Sequence, residues 1–393
     1  MPTAGGPNTL GESNLVFAYD TGDTRNSYIG EPTTNIYSTD GYSFWQLNGN
    51  HTATRYTGNA PDLTTILNNY DYHTIVTTGN WSNEVDRALL WTNSGLLQLN
   101  TQYAVSFYAR VISTSTANIG AAFYGNALPN SLTLTNQWQR FTVLTSTTAT
   151  FRPFEFGSKS GAITFQVAGI QYEAKSHSTP YVNGTRSATQ GLLPLIGNST
   201  IDLTNVSFDS SAKMTFDGTN DYINVPYNTS HNLTSQGTVS AWINPATVTQ
   251  GNFAGIVAQC TGGSANQQAY QLSWRQVSNA MYGAICNGSG TYDQIFASLP
   301  TVVNVWYNIV FTWNGSQLVM YNNGVVIGTA TQTINNQILS TDLTIGGYTY
   351  KGAGGSGEAF NGKIDKVELY NKALTAQEIK QNYQQYKTRF NLS

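Results

Sequence analysis

The sequence has 393 residues, only 10% of them charged, with 18 Lys+Arg against 21 Asp+Glu and a net charge of -3. A chain of this length holds about two domains of roughly 100–200 residues each, and so few basic residues exclude a nucleic-acid footprint. Thr, Ser, Asn and Gln stand where charge is missing, and the 37 Gly and 12% aromatic residues favour turns, strands and packed cores over disorder.

Residues 1–14 (MPTAGGPNTLGESN) offer almost nothing to bury and read as an extended arm. The start lacks the basic residues and apolar run of a secretory signal, and no stretch approaches the roughly 18 apolar residues of a membrane span. Two expectations follow: a protein released by lysis, as virion proteins are, or a precursor whose leader has been trimmed. Leu15 to Tyr19 (LVFAY) predicts a strand closed by the turn residues Asp20 to Asp23. From Ile36 to Val182 short β-like segments follow one another, and in YAVSFYARV alternation puts Tyr103, Val105, Phe107, Ala109 and Val111 on one face. That is the pattern of a half-buried antiparallel strand.

A second series of strands begins near Lys213, with Asn314-Gly315 and Asn323-Gly324 as hairpin turns. Cys260 and Cys286 end two strand-like runs and read as buried thiols, with a bridge as the alternative. In LTAQEIKQNYQQYKTRF, Thr375 and Glu378 form a capping box, and Ile379, Tyr383 and Tyr386 recur at helical spacing. The whole predicts an all-β chain of two antiparallel β-sandwich (jelly-roll) domains, with one short C-terminal helix at a sandwich edge.

The second series resembles the laminin-G-like, concanavalin A-like lectin/glucanase superfamily, through FDGTNDYINVP (Phe216 to Pro226), TVSAWINP, WYNIVFTWNGSQLVMYNNGVVIG (Trp306 to Gly328), LTIGGY and FNGKIDKVELYNKALTAQEI. The first series, with NQWQRFTV and ITFQVAGIQYEAKSHSTPYV, is similar to carbohydrate-binding-module jelly rolls of bacteriophage structural proteins. In phage proteins of the laminin-G-like type, a strand like LVFAYDTGD opens the domain itself. The resemblance therefore implies a jelly roll at 28–185 inserted into a sandwich made of 15–27 and 186–393. Two sandwiches in tandem, linked near Thr185 to Gln190, are the alternative.

Glucanase members carry Glu-x-Asp-x-x-Glu on one strand, because alternate residues face the same cleft and can share acid and nucleophile roles across a glycosidic bond. The nearest string here, Glu84-Val-Asp86-Arg-Ala-Leu89, lacks the third carboxylate, and Asp365 and Glu368 stand three apart, which on a regular strand means opposite faces. His51, His73, His177 and His231 accompany no nucleophile elbow, and Gly352 to Gly357 lacks the ending of a phosphate loop. Enzymatic activity is not expected. The resemblance implies a structural calcium ion held by Asp217, Asp221 and Asp365, against which Asp217 reads as a turn residue and Asp365 as a strand-end acceptor.

Trp138, Trp242, Trp306 and Trp313 lie in strand motifs and read as core, whereas Trp45, Tyr70, Tyr72, Trp81, Trp91, Trp274, Tyr348 and Tyr350 border loops. These eight are the candidates for stacking on a sugar, with a lid over a sandwich end as the other reading of each. The expected function is a bacteriophage virion surface protein, a capsid decoration, head fibre or tail-associated appendage. It would engage other virion proteins through its arm and bind cell-surface or free polysaccharide. A secreted or cell-surface bacterial lectin is the alternative. Neither nucleic acid nor membrane is an expected partner, and a homo-oligomer is left open.

Overall fold

The computed structural model describes residues 14–37, 44–46, 52–56, 72–79, 88–90, 97–123, 131–147, 154–262, 267–276, 279–299, 302–347 and 358–392. Within them the chain is all-β, with every pair of strands antiparallel and one α-helix, Ala376–Tyr386. No helix among the described residues is long and apolar enough to cross a membrane. The chain divides into two compact units, one made of 1–32, 187–209 and 213–393, the other of 33–186 and 210–212.

The 33–186 unit is a sandwich of two five-stranded sheets. One sheet runs in the order Gln139–Ser146, Gln102–Val111, Thr164–Glu173, Tyr72–Val76, Thr52–Tyr56, and the other contains Phe154–Ser158 between Ala88–Leu90 and Thr116–Phe123. The alternation read from the sequence is what fills the space between them: Tyr103, Val105, Phe107, Ala109 and Val111 are all fully buried against Phe123, Phe154 and Phe156. Phe107 meets Phe156 edge to face, centroids 4.9 Å apart and planes at 88°, the arrangement ring quadrupoles favour.

The larger unit packs an eight-stranded sheet on a seven-stranded one around a core that includes Phe17, Tyr270, Trp274, Phe311 and Trp313. The strand Leu15–Asp20 pairs with Asn361–Tyr370, which on its other side pairs with Gly237–Pro245. At the hairpin between Gln317–Asn322 and Val325–Thr331, Asn323 and Gly324 take φ of 51° and 78°. Two positive φ values in succession make the type I′ turn whose twist matches its strands, and the Asn-Gly pair tolerates them.

The helix begins at the expected capping box, with the Thr375 side chain accepting from the Glu378 N–H and Glu378 returning to the Thr375 N–H. It meets the edge strand Val325–Thr331 and reaches from there over the sheet. Ile379 packs with Val310, Tyr321 and Tyr370, while Tyr383, Tyr386 and Phe390 close over Trp242, all on the outer face of the eight-stranded sheet. Trp242, Val310, Tyr321 and Tyr370, one from each of four neighbouring strands, point outward among polar neighbours and need a cover.

Candidate functional site

The same alternation that buries Tyr103 to Val111 sends Tyr108 and Arg110 out of the opposite face of the first five-stranded sheet. Strand pairing then lines up a row across that face: Tyr56 opposite Tyr72, Tyr72 opposite Ala168, Ala168 opposite Tyr108, and Tyr108 opposite Arg140. Tyr56 and Tyr72 stack with centroids 4.9 Å apart and planes 9° from parallel. Tyr72, Tyr108, Trp138 and Tyr181, each half-buried, pack around the buried Ala168 and roof it with rings. Just beyond Ala168 the pairing with Gln102–Val111 shifts, and Gly169 takes φ of 55° in the bulge, a conformation that costs glycine little.

A second row, two residues along each strand, is polar: Thr54, Thr74, Gln166 and Arg110. Arg110 Nε donates to Gln166 Oε1 at 2.9 Å, and Gln166 Nε2 donates to Thr74 Oγ1 at 3.2 Å. The Arg110 guanidinium lies over the Trp138 ring, 4.9 Å from its centroid, so a cation–π contact and a hydrogen-bond chain fix both side chains. The segment after Glu173 bounds the face. Arg140 Nη2 donates to Ser106 Oγ at 2.8 Å and to the Thr179 carbonyl, and Glu173, fully buried, accepts from Thr33 and from the Thr179 hydroxyl and N–H. Burial lowers the Arg140 guanidinium from its usual value and raises the Tyr108 phenol. Half-exposed rings beside ordered hydroxyl, amide and guanidinium groups can stack on a sugar ring and bond its hydroxyls.

Of the eight aromatic residues expected to meet a sugar, Tyr72 stands in this face. Trp274 is a correction: it is fully buried in the core of the larger sandwich, because it points inward from strand Gln268–Arg275, and has no face for a ligand. Trp45 belongs to strand Phe44–Gln46 but its side chain lies outside the described residues, as do Tyr70, Trp81, Trp91, Tyr348 and Tyr350. The arm residues 1–13, His51, Glu84, Asp86 and Gly352 to Gly357 lie outside them too. Trp138 corrects the opposite error, since it is on the outer face and not in the core. Tyr56, Tyr108 and Tyr181 are not among those eight; for Tyr56 and Tyr108 the usable signal is a large aromatic on the polar side of a strand, and Tyr181, between strands, carries none.

The three carboxylates expected around calcium do not form one site, and among the described residues no three His, Cys, Asp or Glu side chains come together to hold an ion. Asp217 accepts from the N–H groups of Thr219 at 2.7 Å and Asn220 at 3.2 Å, which is turn chemistry. Asp221 accepts from the Ser207 hydroxyl and the Asp217 N–H, and burial pushes its carboxyl up. Asp365 is engaged by Arg389, which also holds Asp20.

A bulge beside Trp242 and Ile243 corrects the expectation for Asp365 and Glu368. The extra residue resets the alternation, so both carboxylates face the helix side, where Lys366 Nζ pairs with Glu368 at 2.6 Å beneath the Tyr386 ring. Each carboxylate is held by a cation, an arrangement that leaves no free acid and base pair. Cys260 and Cys286 are free and buried rather than bridged, and burial pushes both thiols up, Cys286 to about 12.

The sequence of the larger sandwich matches, over residues 217–380, the family described as the concanavalin A-like lectin/glucanases superfamily. No curated protein matches the chain. Among solved structures it is similar to the binding domain of Paraclostridial Mosquitocidal Protein 1, at 18% identity over 50% of this chain and 49% of that one, with a TM-score of 0.40. It thus spans about half the length of that toxin domain. It is also similar to domain 4 of AbnA, an extracellular arabinanase from Geobacillus stearothermophilus solved with arabinotriose (14% identity, 48% and 82% of the two chains, TM-score 0.33). A third likeness is to the CBM40 of Ruminococcus gnavus IT-sialidase bound to α2,3-sialyllactose (16% identity, 38% and 83%, TM-score 0.33). With its motifs in family order and its two sheets closed around Trp313, the segment 217–380 is a concanavalin A-like lectin/glucanases superfamily domain.

Proposed function

We propose that this protein binds glycans, and that the outer face of the first five-stranded sheet of the 33–186 unit is the binding surface. The observation that carries the reading is the row Tyr56, Tyr72, Tyr108 with Trp138 and Tyr181 around Ala168, an aromatic floor on a strand face that is otherwise polar. Sugar rings stack on such floors through their C–H faces while Thr, Gln and Arg side chains bond their hydroxyls, and both terms are realised without any covalent step. Binding rather than cleavage is proposed because Asp365 and Glu368, the described carboxylates nearest to a catalytic pair, are each neutralised by a cation.

The test is a glycan-array screen of the whole chain, followed by calorimetry with Tyr108→Ala and Trp138→Ala. Each substitution is expected to weaken binding by roughly tenfold or more, the loss of one stacked aromatic, with melting temperature little changed. Binding that survives both substitutions, or an array with no bound glycan, overturns the reading.

The setting we propose with it is the bacteriophage particle, with residues 1–14 as the arm engaging other virion proteins, on the resemblance of LVFAYDTGD and the Lys213 to Ile379 motifs to phage structural proteins. Mass spectrometry of purified particles tests this. Presence at a fixed ratio to the capsid protein supports it, whereas absence from particles favours a secreted lectin.

A further inference from the structure

We infer that the aromatic face selects saccharides carrying a carboxylate over neutral ones, an inference that rests on the glycan-binding reading above. The two rows that form the face contain Arg110 and Arg140 and no Asp or Glu, although the chain as a whole has a net charge of -3. Arg140 makes both of its hydrogen bonds through Nη2, to Ser106 and Thr179. Its Nε is buried without a partner, and no ion pair joins it to a carboxylate among the described residues. The nearest candidate, Glu173, is already taken by Thr33 and Thr179.

Ser106, Thr179 and the field of the buried Glu173 replace only part of the hydration that this half-buried guanidinium has lost, and no carboxylate pairs with it directly. Its Cζ lies 5.8 Å from the Tyr108 ring centroid. A sugar stacked on Tyr108 therefore brings a carboxylate substituent close to the Arg140 guanidinium, where charge-assisted contacts form. Arg110, two residues along the Tyr108 strand and held by Gln166 and Trp138, adds a second positive charge beside the same ring. A neutral sugar gains the stacking and hydroxyl bonds alone.

The experiment is calorimetry of the whole chain with oligogalacturonate, a hyaluronan tetrasaccharide and sialyllactose, each beside its carboxyl-reduced or desialylated counterpart. At least one acid is expected to bind roughly tenfold more tightly than its neutral partner, with the advantage shrinking from about 50 mM to about 500 mM NaCl. Arg140→Gln is expected to lower the affinity for the acid by far more than the affinity for its neutral partner, so that the ratio between them falls toward one. Arg140→Lys, which retains the charge, keeps part of it and guards against a simple loss of fold, checked by the melting temperature. Equal affinity of acid and neutral forms at a Trp138-dependent site overturns the inference while leaving the glycan reading intact. Binding of neither member of any pair overturns both.

Discussion

Trp242 and Phe390 stack nearly face to face, with ring centroids 4.1 Å apart and planes 14° from parallel. Tyr383 stacks on the same indole at 5.8 Å, and Trp306 meets Phe390 at 4.8 Å. The segment after the helix is therefore part of the packing of the eight-stranded sheet. Phe390→Ala removes a ring that is only 5% exposed and is expected to cost about 3 kcal/mol, the range for aromatic truncation in a core. Urea unfolding followed by tryptophan fluorescence measures it, and a change below about 1 kcal/mol would show that the tail contributes little.

Arg389 holds Asp20 and Asp365 together. Burial pushes the Asp365 carboxyl up, against the pull of the Arg389 charge. In Arg389→Met the Asp365 carboxyl loses its cation while Asp20 stays beside it, and its folded-state pKa rises further above the unfolded value of about 3.9. The resulting instability is full above that raised pKa and shrinks as pH falls through it. The variant is expected to lose about 2 kcal/mol at pH 7 and distinctly less near pH 4. Thermal melts of both proteins at the two pH values check the sign.

His231 is fully buried against Phe17, and burial lowers its pKa to about 4. The unfolded imidazole titrates near 6.5, so between those values the unfolded chain binds the proton and the folded chain does not. This group takes stability away as pH falls through that window, by about 1.4 kcal/mol per pH unit. His231→Gln removes the slope. The measurement is the difference in unfolding free energy between the two proteins across pH 7 to 4, and a constant difference refutes the assignment.

Both cysteines are buried thiols with raised pKa, Cys286 to about 12. A thiolate is the reactive form, so Ellman's reagent at about pH 8 is expected to find no reactive thiol in the folded protein and both in denaturant. Rapid labelling of the native chain would mean that strands Ala254–Cys260 and Ala280–Cys286 open locally.

What the sequence by itself determined is local. Period-two alternation chose Tyr103, Val105, Phe107, Ala109 and Val111 for the core, Asn323-Gly324 formed its turn, and Thr375 with Glu378 started the helix. Each of these rests on contacts or preferences within a few residues, which a single stretch of sequence contains. The family of the larger sandwich was legible for a related reason, since its motifs are short strands and turns in order.

Tertiary structure decided which outward side chains meet. Strand register brings Tyr72 and Tyr108 beside Ala168 and Tyr56 onto Tyr72, while Trp138 and Tyr181 reach the same place from segments outside the paired strands. A slip of one residue in any pairing would turn a whole strand over, and no local pattern sets registers between distant segments. The same is true of the bulge that brings Asp365 to the helix side and of the packing that takes Trp274 into the core. Sequence marked each side chain as polar or apolar, but its neighbours were set by long-range pairing.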